Sequence, residues 1–510
     1  MLLSVFSTIF STDAIIMIVL GTLLGIIIGA IPGLGAAIGI AVMLPFTYAM
    51  KPLSALVLLA GIFMGCGVGG SISGILLNIP GTNEAICTTI EGYPMALRGE
   101  GKRALYLASI SSTFGGIVGC VIMIVFAPIL GRIALKFGPA EMALTAIMGL
   151  TIIASLSADN LAKGILGALF GMLIACIGID PVSGVTRFTF KKAFMTMGLK
   201  QVAIALGLIA GRQMILQIRK AYKEGQQRLR NEYNESEIKL ESTSFLKTAG
   251  EVFGKKNIFT LIKSTIIGNV IGILPGAGAA IAAFVAYGEA KRTSKIKFGT
   301  GVPKGIIAVE SANNAAVGGT FVPMLSLGIP GSNSCALIFS ALTIHGIVVG
   351  PTLFTEYADL SYGFMYGLLF SSIAMGLLCI GLIPLFAKVV KVKMKYIIPP
   401  IVCCVILGSF AIRNNMFDVI VTLIFCGIGY LFHIVNIPVA PVFLGFILMP
   451  IIEKNMVLAN TIATAKGMGL FKYMITSKIS LVIIAIGIIL LVLNIMALKN
   501  QKNTEGNLKK

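Results

Sequence analysis

Ile28-Gly29-Ala30-Ile31-Pro32-Gly33-Leu34-Gly35-Ala36-Ala37-Ile38 returns, 243 residues later, as Ile271-Gly272-Ile273-Leu274-Pro275-Gly276-Ala277-Gly278-Ala279-Ala280-Ile281. A second pair follows in the same order: Ile79-Pro80-Gly81-Thr82-Asn83 matches Ile329-Pro330-Gly331-Ser332-Asn333 at an offset of 250. Two motifs in matched order imply an internal repeat of roughly half the chain. Pro and Gly inside long apolar stretches break helices, and broken helices in corresponding places of two halves point to a transporter's binding site. Taken singly, each motif reads equally well as a helix-connecting turn.

Around these motifs the chain is 57% hydrophobic and only 12% charged, with mean hydropathy +0.97. Soluble domains carry about 25% charged residues, so the expected class is an all-α integral membrane protein. Uncharged runs cover Ala14–Met50, Pro52–Asn83, Ala104–Gly131, Ser311–Thr355, Ser361–Ala387 and Val419–Ile452. A spanning helix takes about 20 residues, so the longest runs fold back at their Pro-Gly breaks, giving about 12 transmembrane helices. Alternation at short range, the mark of a membrane β-barrel, is absent. No basic n-region precedes the first apolar run, so the start reads as a first membrane helix rather than a secretory signal.

The net charge of +20 is no nucleic-acid footprint, because the basic residues gather in short loops and tails. Arg98, Lys102 and Arg103 form one cluster. Lys291, Arg292, Lys295, Lys297 and Lys304 form a second, and Lys388, Lys391, Lys393 and Lys395 a third. The positive-inside rule puts these in the cytoplasm, together with the tail bearing Lys499, Lys502, Lys509 and Lys510, and leaves the N-terminus outside. Arg187, Lys191 and Lys192 fit that count less well. The organisation expected is a first repeat over 1–211, a polar cytoplasmic linker over 212–256, a second repeat over 257–498 and a basic tail over 499–510. With the N-terminus outside and the linker inside, the repeats are inverted, related by an axis in the membrane plane. The charge rule alone carries that orientation, and a parallel duplication stays open.

Pro32, Gly33 and Gly35, with their twins Pro275, Gly276 and Gly278, are the expected helix breaks. Unwound backbone at membrane depth is tolerated where it is buried in protein or lines a wet cavity. Freed carbonyls there suit Na⁺, and the following helix N-terminus suits an anion; the competing reading is a kink for close helix crossing. The second motif adds neutral donors: Ser71, Ser73, Asn78, Gly81, Thr82 and Asn83 in one half, Gly331, Ser332 and Asn333 in the other. Hydroxyls and amides can bind a carboxylate without a fixed charge, though the same residues are usual N-caps. Glu310, Asn313 and Asn314 lie between apolar stretches, and an intramembrane carboxylate is a functional candidate by default, here for Na⁺ or H⁺. Were Glu310 beside the Lys304 loop, it would be a surface acid. Asp159-Asn160, and Asp180 with Arg187, read as interfacial. The nine cysteines show no CxxC spacing, so they read as packing residues and no metal centre is expected beyond a transported Na⁺. HExxH, GxSxG and GxxxxGK[ST] are missing, so neither hydrolase nor ATPase chemistry is indicated.

Ile31-Pro32-Gly33-Leu34-Gly35, Leu76-Leu77-Asn78-Ile79-Pro80-Gly81-Thr82, Glu91-Gly92-Tyr93-Pro94-Met95-Ala96, Leu274-Pro275-Gly276-Ala277-Gly278, Glu310-Ser311-Ala312-Asn313-Asn314-Ala315-Ala316 and Leu327-Gly328-Ile329-Pro330-Gly331-Ser332 resemble the large membrane subunit of the tripartite tricarboxylate transporters, the TctA family. The resemblance runs from about residue 14 to residue 495. It departs at Glu91, where the family carries Asp, and at Val309, where a Pro is common. It implies a permease in the bacterial inner membrane that imports tricarboxylates or related carboxylates on a cation gradient. Its implied partners are a small membrane subunit of about four helices and a periplasmic solute-binding protein. An intramembrane enzyme using paired buried acids and a passive anion channel are the competing classes.

Overall fold

The computed structural model describes residues 8–156, 161–180, 182–219, 243–276, 278–389, 394–485 and 487–489. Asp159-Asn160, most of the linker and the basic tail lie outside them. The described chain is all-α apart from a two-stranded hairpin, in which Gly178 pairs with Arg187 and Ile179 with Thr186. The first half carries α1 (Thr12–Ala30), α2 (Gly35–Met43), α3 (Pro52–Leu77), α4 (Ile86–Leu97), α5 (Gly101–Ala134), α6 (Pro139–Leu156), α7 (Leu161–Ala175) and α8 (Gln201–Arg219). The short α9 (Phe245–Val252) follows. The second half carries α10 (Ile258–Ile273), α11 (Gly278–Arg292), α12 (Pro303–Leu327), α13 (Asn333–Ile344), α14 (Ala358–Val389), α15 (Met394–Ala411), α16 (Met416–Ile434) and α17 (Val439–Ala465). Among the described residues, seven helices are long and apolar enough to cross a bilayer unaided, and six shorter apolar ones include arms of the broken hairpins.

The chain reverses where the sequence breaks. α10 and α11 form a hairpin with Pro275-Gly276 at its tip and the Lys263–Glu289 ion pair toward its open end. Its counterpart in the first half has Pro32-Gly33 between α1 and α2. Gly33 and Gly276 take φ of 84° and 82°, a region that side chains enter only at a cost. Each tip then meets the second break of its own half: the Gly33 N–H donates to the Gly81 carbonyl at 3.2 Å, and the Gly276 N–H to the Gly331 carbonyl at 2.9 Å. The long helix before that second break ends left-handed in both halves, at Asn78 (φ 57°) and Gly328 (φ 74°).

Packing repeats as closely as the backbone does. Gly25 and Gly29 of α1 lie against the carbonyls of Ile62 and Cys66 on α3; Gly268 and Gly272 of α10 lie against those of Ala312 and Ala316 on α12. Without a hydrophobic drive between helices in lipid, such small-residue faces let backbones approach closely enough for dispersion to hold them.

The two halves run in opposite directions. On α3 and α12, Asn314 donates to the Met64 carbonyl at 3.2 Å, Phe63 stacks edge-on with Phe321 at 5.8 Å, and Ser71 reaches back to Glu310. Higher numbers on one helix meet lower numbers on the other, which is antiparallel crossing. The halves also exchange helices: α5 lies along α12, with Gly115 and Gly119 against the Ser311 and Ala315 carbonyls, while α14 lies along α3, with Gly367 against Val57. At one end of the molecule Arg98 binds the carbonyls of Thr300 and Gly301, and Arg103 binds Glu251 at 2.7 Å. Two of the basic clusters, Arg98–Arg103 and Lys291–Lys304, therefore meet at that end. The Asp13–Lys51 pair marks the opposite one.

α8 continues past residue 211 to Arg219 and contains a π segment, Leu206–Gly211. α9 rests on α5 through the ring pair Tyr106–Phe245. Arg187 is held by Glu453 and by Asp180 at 3.9 Å. The Ser183 hydroxyl and the Val182 N–H hold the Asp180 carboxyl below its ordinary range.

Candidate functional site

Glu310 lies two turns into α12 and is completely buried, so it is no surface acid of the Lys304 loop. Three hydroxyls from three other helices converge on its carboxylate: Ser71 of α3 and Thr88 of α4 donate to Oε1, and Ser112 of α5 donates to Oε2 at 2.7 Å. All three are themselves buried. No Lys, Arg or His bonds this carboxylate among the described residues. A buried charge is costly unless paired, and alcohols supply dipoles rather than a countercharge. A proton or a cation is what would complete the neutralisation.

One turn on, Asn314 donates through Nδ2 to the Met64 carbonyl at 3.2 Å. Its own Oδ1 is buried with no partner, as are Asn313 Nδ2 and Asn269 Oδ1. Asn313 and Asn314 face the space beside Gly67, where an added methyl would lie 2.8 Å from Asn314 Oδ1. Buried amide groups left unpaired are uncommon and costly. Those of Asn313 and Asn314 lie within about a turn of the caged carboxylate, on the same helix. Carbonyl-type oxygens beside a carboxylate form a hard donor set suited to a small cation.

The tips are differently occupied. The Ile28 and Ile271 carbonyls, one turn before the prolines, accept from the Ile31 and Leu274 N–H groups at 3.2 and 3.1 Å. The Gly33 carbonyl accepts from Gln213 at 2.7 Å, and that of Pro32 from Gln217 at 3.5 Å. These glutamines come from α8.

Among the neutral donors, Ser71 serves Glu310, and Ser73 bonds the Gly70 carbonyl at 3.3 Å. Ser332 caps α13 by accepting from the Cys335 N–H at 3.2 Å, which leaves its own proton available. Thr82 Oγ1 is buried without a partner. Asn78 and Asn83 are exposed, whereas Gly81 and Gly331 are buried beneath their breaks; Asn333 opens α13 and is half-buried. Each tip is thus tied to the second break of its half through Gly81 or Gly331, with Thr82 and Ser332 the residues that follow those glycines, while the Glu310 cage is built from residues within α3, α4, α5 and α12.

A second buried acid, Glu91, does structural work. Its carboxylate accepts from Tyr287 Oη at 2.9 Å and from the N–H groups of Gly299, Gly301 and Val302 at 2.6, 2.8 and 2.7 Å. It closes the N-terminus of α12 from the other half of the chain, where a carboxylate is favoured by the helix dipole. Thr88, Ser112, Gln213 and Gln217 escape a reading of the sequence, because hydroxyls and amides within apolar helices carry no distinguishing spacing.

The family model described as the tripartite tricarboxylate transporter TctA family matches residues 15–444. A protein of Agrobacterium vitis described as an uncharacterized 52.8 kDa protein in the TAR-I ttuC' 3' region is 32% identical over 461 residues, covering 90% of this chain and 88% of that protein. A second from the same organism, from the TAR-II ttuC' 3' region, is 32% identical over 231 residues, covering 45% of this chain and 94% of its own length. No solved structure matches significantly.

Proposed function

Since the chain belongs to the tripartite tricarboxylate transporter TctA family, a family of multi-subunit transporters, we propose that it is the permease subunit of a cation-coupled, binding-protein-dependent carboxylate importer. Its partners would be a small membrane subunit and a periplasmic solute-binding protein, in the inner membrane. The observation that carries this reading is the caged, uncompensated Glu310 beside the unpaired amides of Asn313 and Asn314. That group is the proposed site for Na⁺ or H⁺. Thr82 and Ser332, at the two second breaks, are the proposed donors to the substrate carboxylates, with Gly81, Gly331, Asn83 and Asn333 around them.

An anion entering against an inside-negative potential is opposed by about 2.3 kcal/mol per charge per 100 mV. Uptake of a di- or trianion therefore needs cotransported cations at least equal to its charge before voltage ceases to oppose it. An enzymatic reading finds little support: Glu91 and Glu310 are bonded to separate donor sets, so they make no acid–base pair. Proteoliposomes holding the complete complex test the proposal. Substrate should accumulate only under an imposed Na⁺ or H⁺ gradient, and Glu310→Gln should abolish that accumulation. Accumulation with neither gradient would sink the carrier reading, and flux that merely equilibrates substrate would make the protein a channel.

A further inference from the structure

A cavity of about 790 Å³ opens at the basic end, between the α9–α10 connection and the α11–α12 connection. Lys255, Lys256, Lys295 and Lys304 all line it, with Ser294 and Asn257. None of these four lysines has a carboxylate within ion-pair distance among the described residues. The acid on the wall, Glu251, is already held by both the Nε and Nη2 atoms of Arg103, at 3.0 and 2.7 Å. The α10 N-terminus opens at Asn257 with no side-chain cap, so its first N–H groups add to the positive field. Four unopposed ammonium groups in one concavity repel one another unless an anion sits among them.

The surface that continues from this cavity identifies the kind of anion. Phe259, Ile262, Ile266 and Val270 follow one face of α10 away from the lysines, and all are exposed. Ile296, on the rim, is exposed as well. Their spacing of three and four residues makes a continuous apolar stripe on a helix. The stripe is bilayer-facing surface whatever fills the cavity, and its position sets the lysines beside hydrocarbon. A molecule with a charged head and hydrocarbon tails uses both, and basic pockets between membrane helices are suited to such headgroups. We propose that this cavity seats the phosphate-bearing headgroup of an anionic phospholipid, with its acyl chains along the α10 stripe.

The lipid would join the approaches to α10, the first arm of the second tip, and to α12, which carries Glu310. The site is independent of the transport reading and is tested without measuring uptake. The full-length protein is purified in mild detergent, and retained lipid is counted by native mass spectrometry after exchange against phosphatidylglycerol or phosphatidylcholine. A variant combining Lys255→Ser, Lys256→Ser, Lys295→Ser and Lys304→Ser should bind phosphatidylglycerol at least tenfold more weakly, with phosphatidylcholine unchanged. Lys466→Ser with Lys472→Ser, which removes two lysines elsewhere, should bind as the wild type does. On the wild-type protein, which avoids any folding defect, a phosphatidylglycerol with a photoreactive acyl chain should label residues 259–270. Unchanged retention in the fourfold variant, or an equal loss in the control pair, would overturn the proposal. So would displacement by millimolar inorganic phosphate without labelling of α10, which would make this a free-anion site. Protection of α10 from the lipid probe by a copurified small subunit would assign the face to that protein instead.

Discussion

Ser71, Thr88 and Ser112 reach Glu310 from three helices, so each hydroxyl contributes both a bond and a position to the carboxylate. Removing a donor to a charged acceptor costs about 1.5–3 kcal/mol, and each 1.4 kcal/mol is a tenfold change in an equilibrium. Ser112→Ala should therefore raise the cation concentration for half-maximal uptake about tenfold or more while leaving substrate affinity nearly unchanged. Asn314→Ala should move the same parameter. An unaltered cation dependence in both variants, with normal assembly, would remove this cluster from the coupling site. Thr82→Val and Ser332→Ala should act on the other axis, raising the substrate concentration for half-maximal uptake; if neither does, the substrate lies elsewhere. Glu310 and Asn313-Asn314 stand out in the sequence because charge and amides interrupt an apolar run. Thr88 and Ser112 do not, since a hydroxyl in a helix usually bonds its own backbone, as Ser109 does to the Leu105 carbonyl at 2.8 Å.

The same contrast holds for elements. The breaks at Pro32 and Pro275 are plain in the sequence because proline and glycine act through local backbone geometry. Which carbonyls they expose is not, because Gln213 and Gln217 arrive from a helix that sequence reading places partly in a polar linker. The Glu91 closure of α12 is likewise invisible in the chain, since its donors lie some 200 residues away. It leads to a definite expectation. Glu91→Ala leaves three N–H groups unserved, two of them on the buried residues Gly301 and Val302 at about 1–3 kcal/mol each. Hydrogen exchange at residues 299–302 should accelerate by about tenfold or more, while exchange in the α3 segment around Met64 should hardly change. Equal acceleration across both would mean that Glu91 supports the whole fold rather than this helix end. Exchange unchanged at 299–302 would mean that the carboxylate is not the closing group.

At the scale of the molecule, the repeat is legible from two motifs, but its orientation rests in the sequence on lysine and arginine counts alone. The antiparallel crossing of α3 and α12 gives an independent geometric ground, because two halves whose equivalent helices oppose each other must enter from opposite faces. Helix length adds to this: α5 has 34 residues, about 51 Å at 1.5 Å per residue, well beyond a hydrocarbon core of about 30 Å. Its Arg103 end and its Arg132 end therefore emerge on different sides. The prediction concerns residues at the two ends, Lys51 beside Asp13 and Lys256 on the wall of the lysine cavity, both exposed. Single cysteines replacing each, in a background without the nine native cysteines, should react with an impermeant maleimide from opposite faces. Lys51→Cys should label in intact cells, and Lys256→Cys only after the inner face is opened, as the excess of basic residues at that end requires. Reaction of both from the same face would contradict the inverted arrangement of the two halves. Reaction from opposite faces in the reverse sense would keep the inversion and overturn only the charge-based orientation.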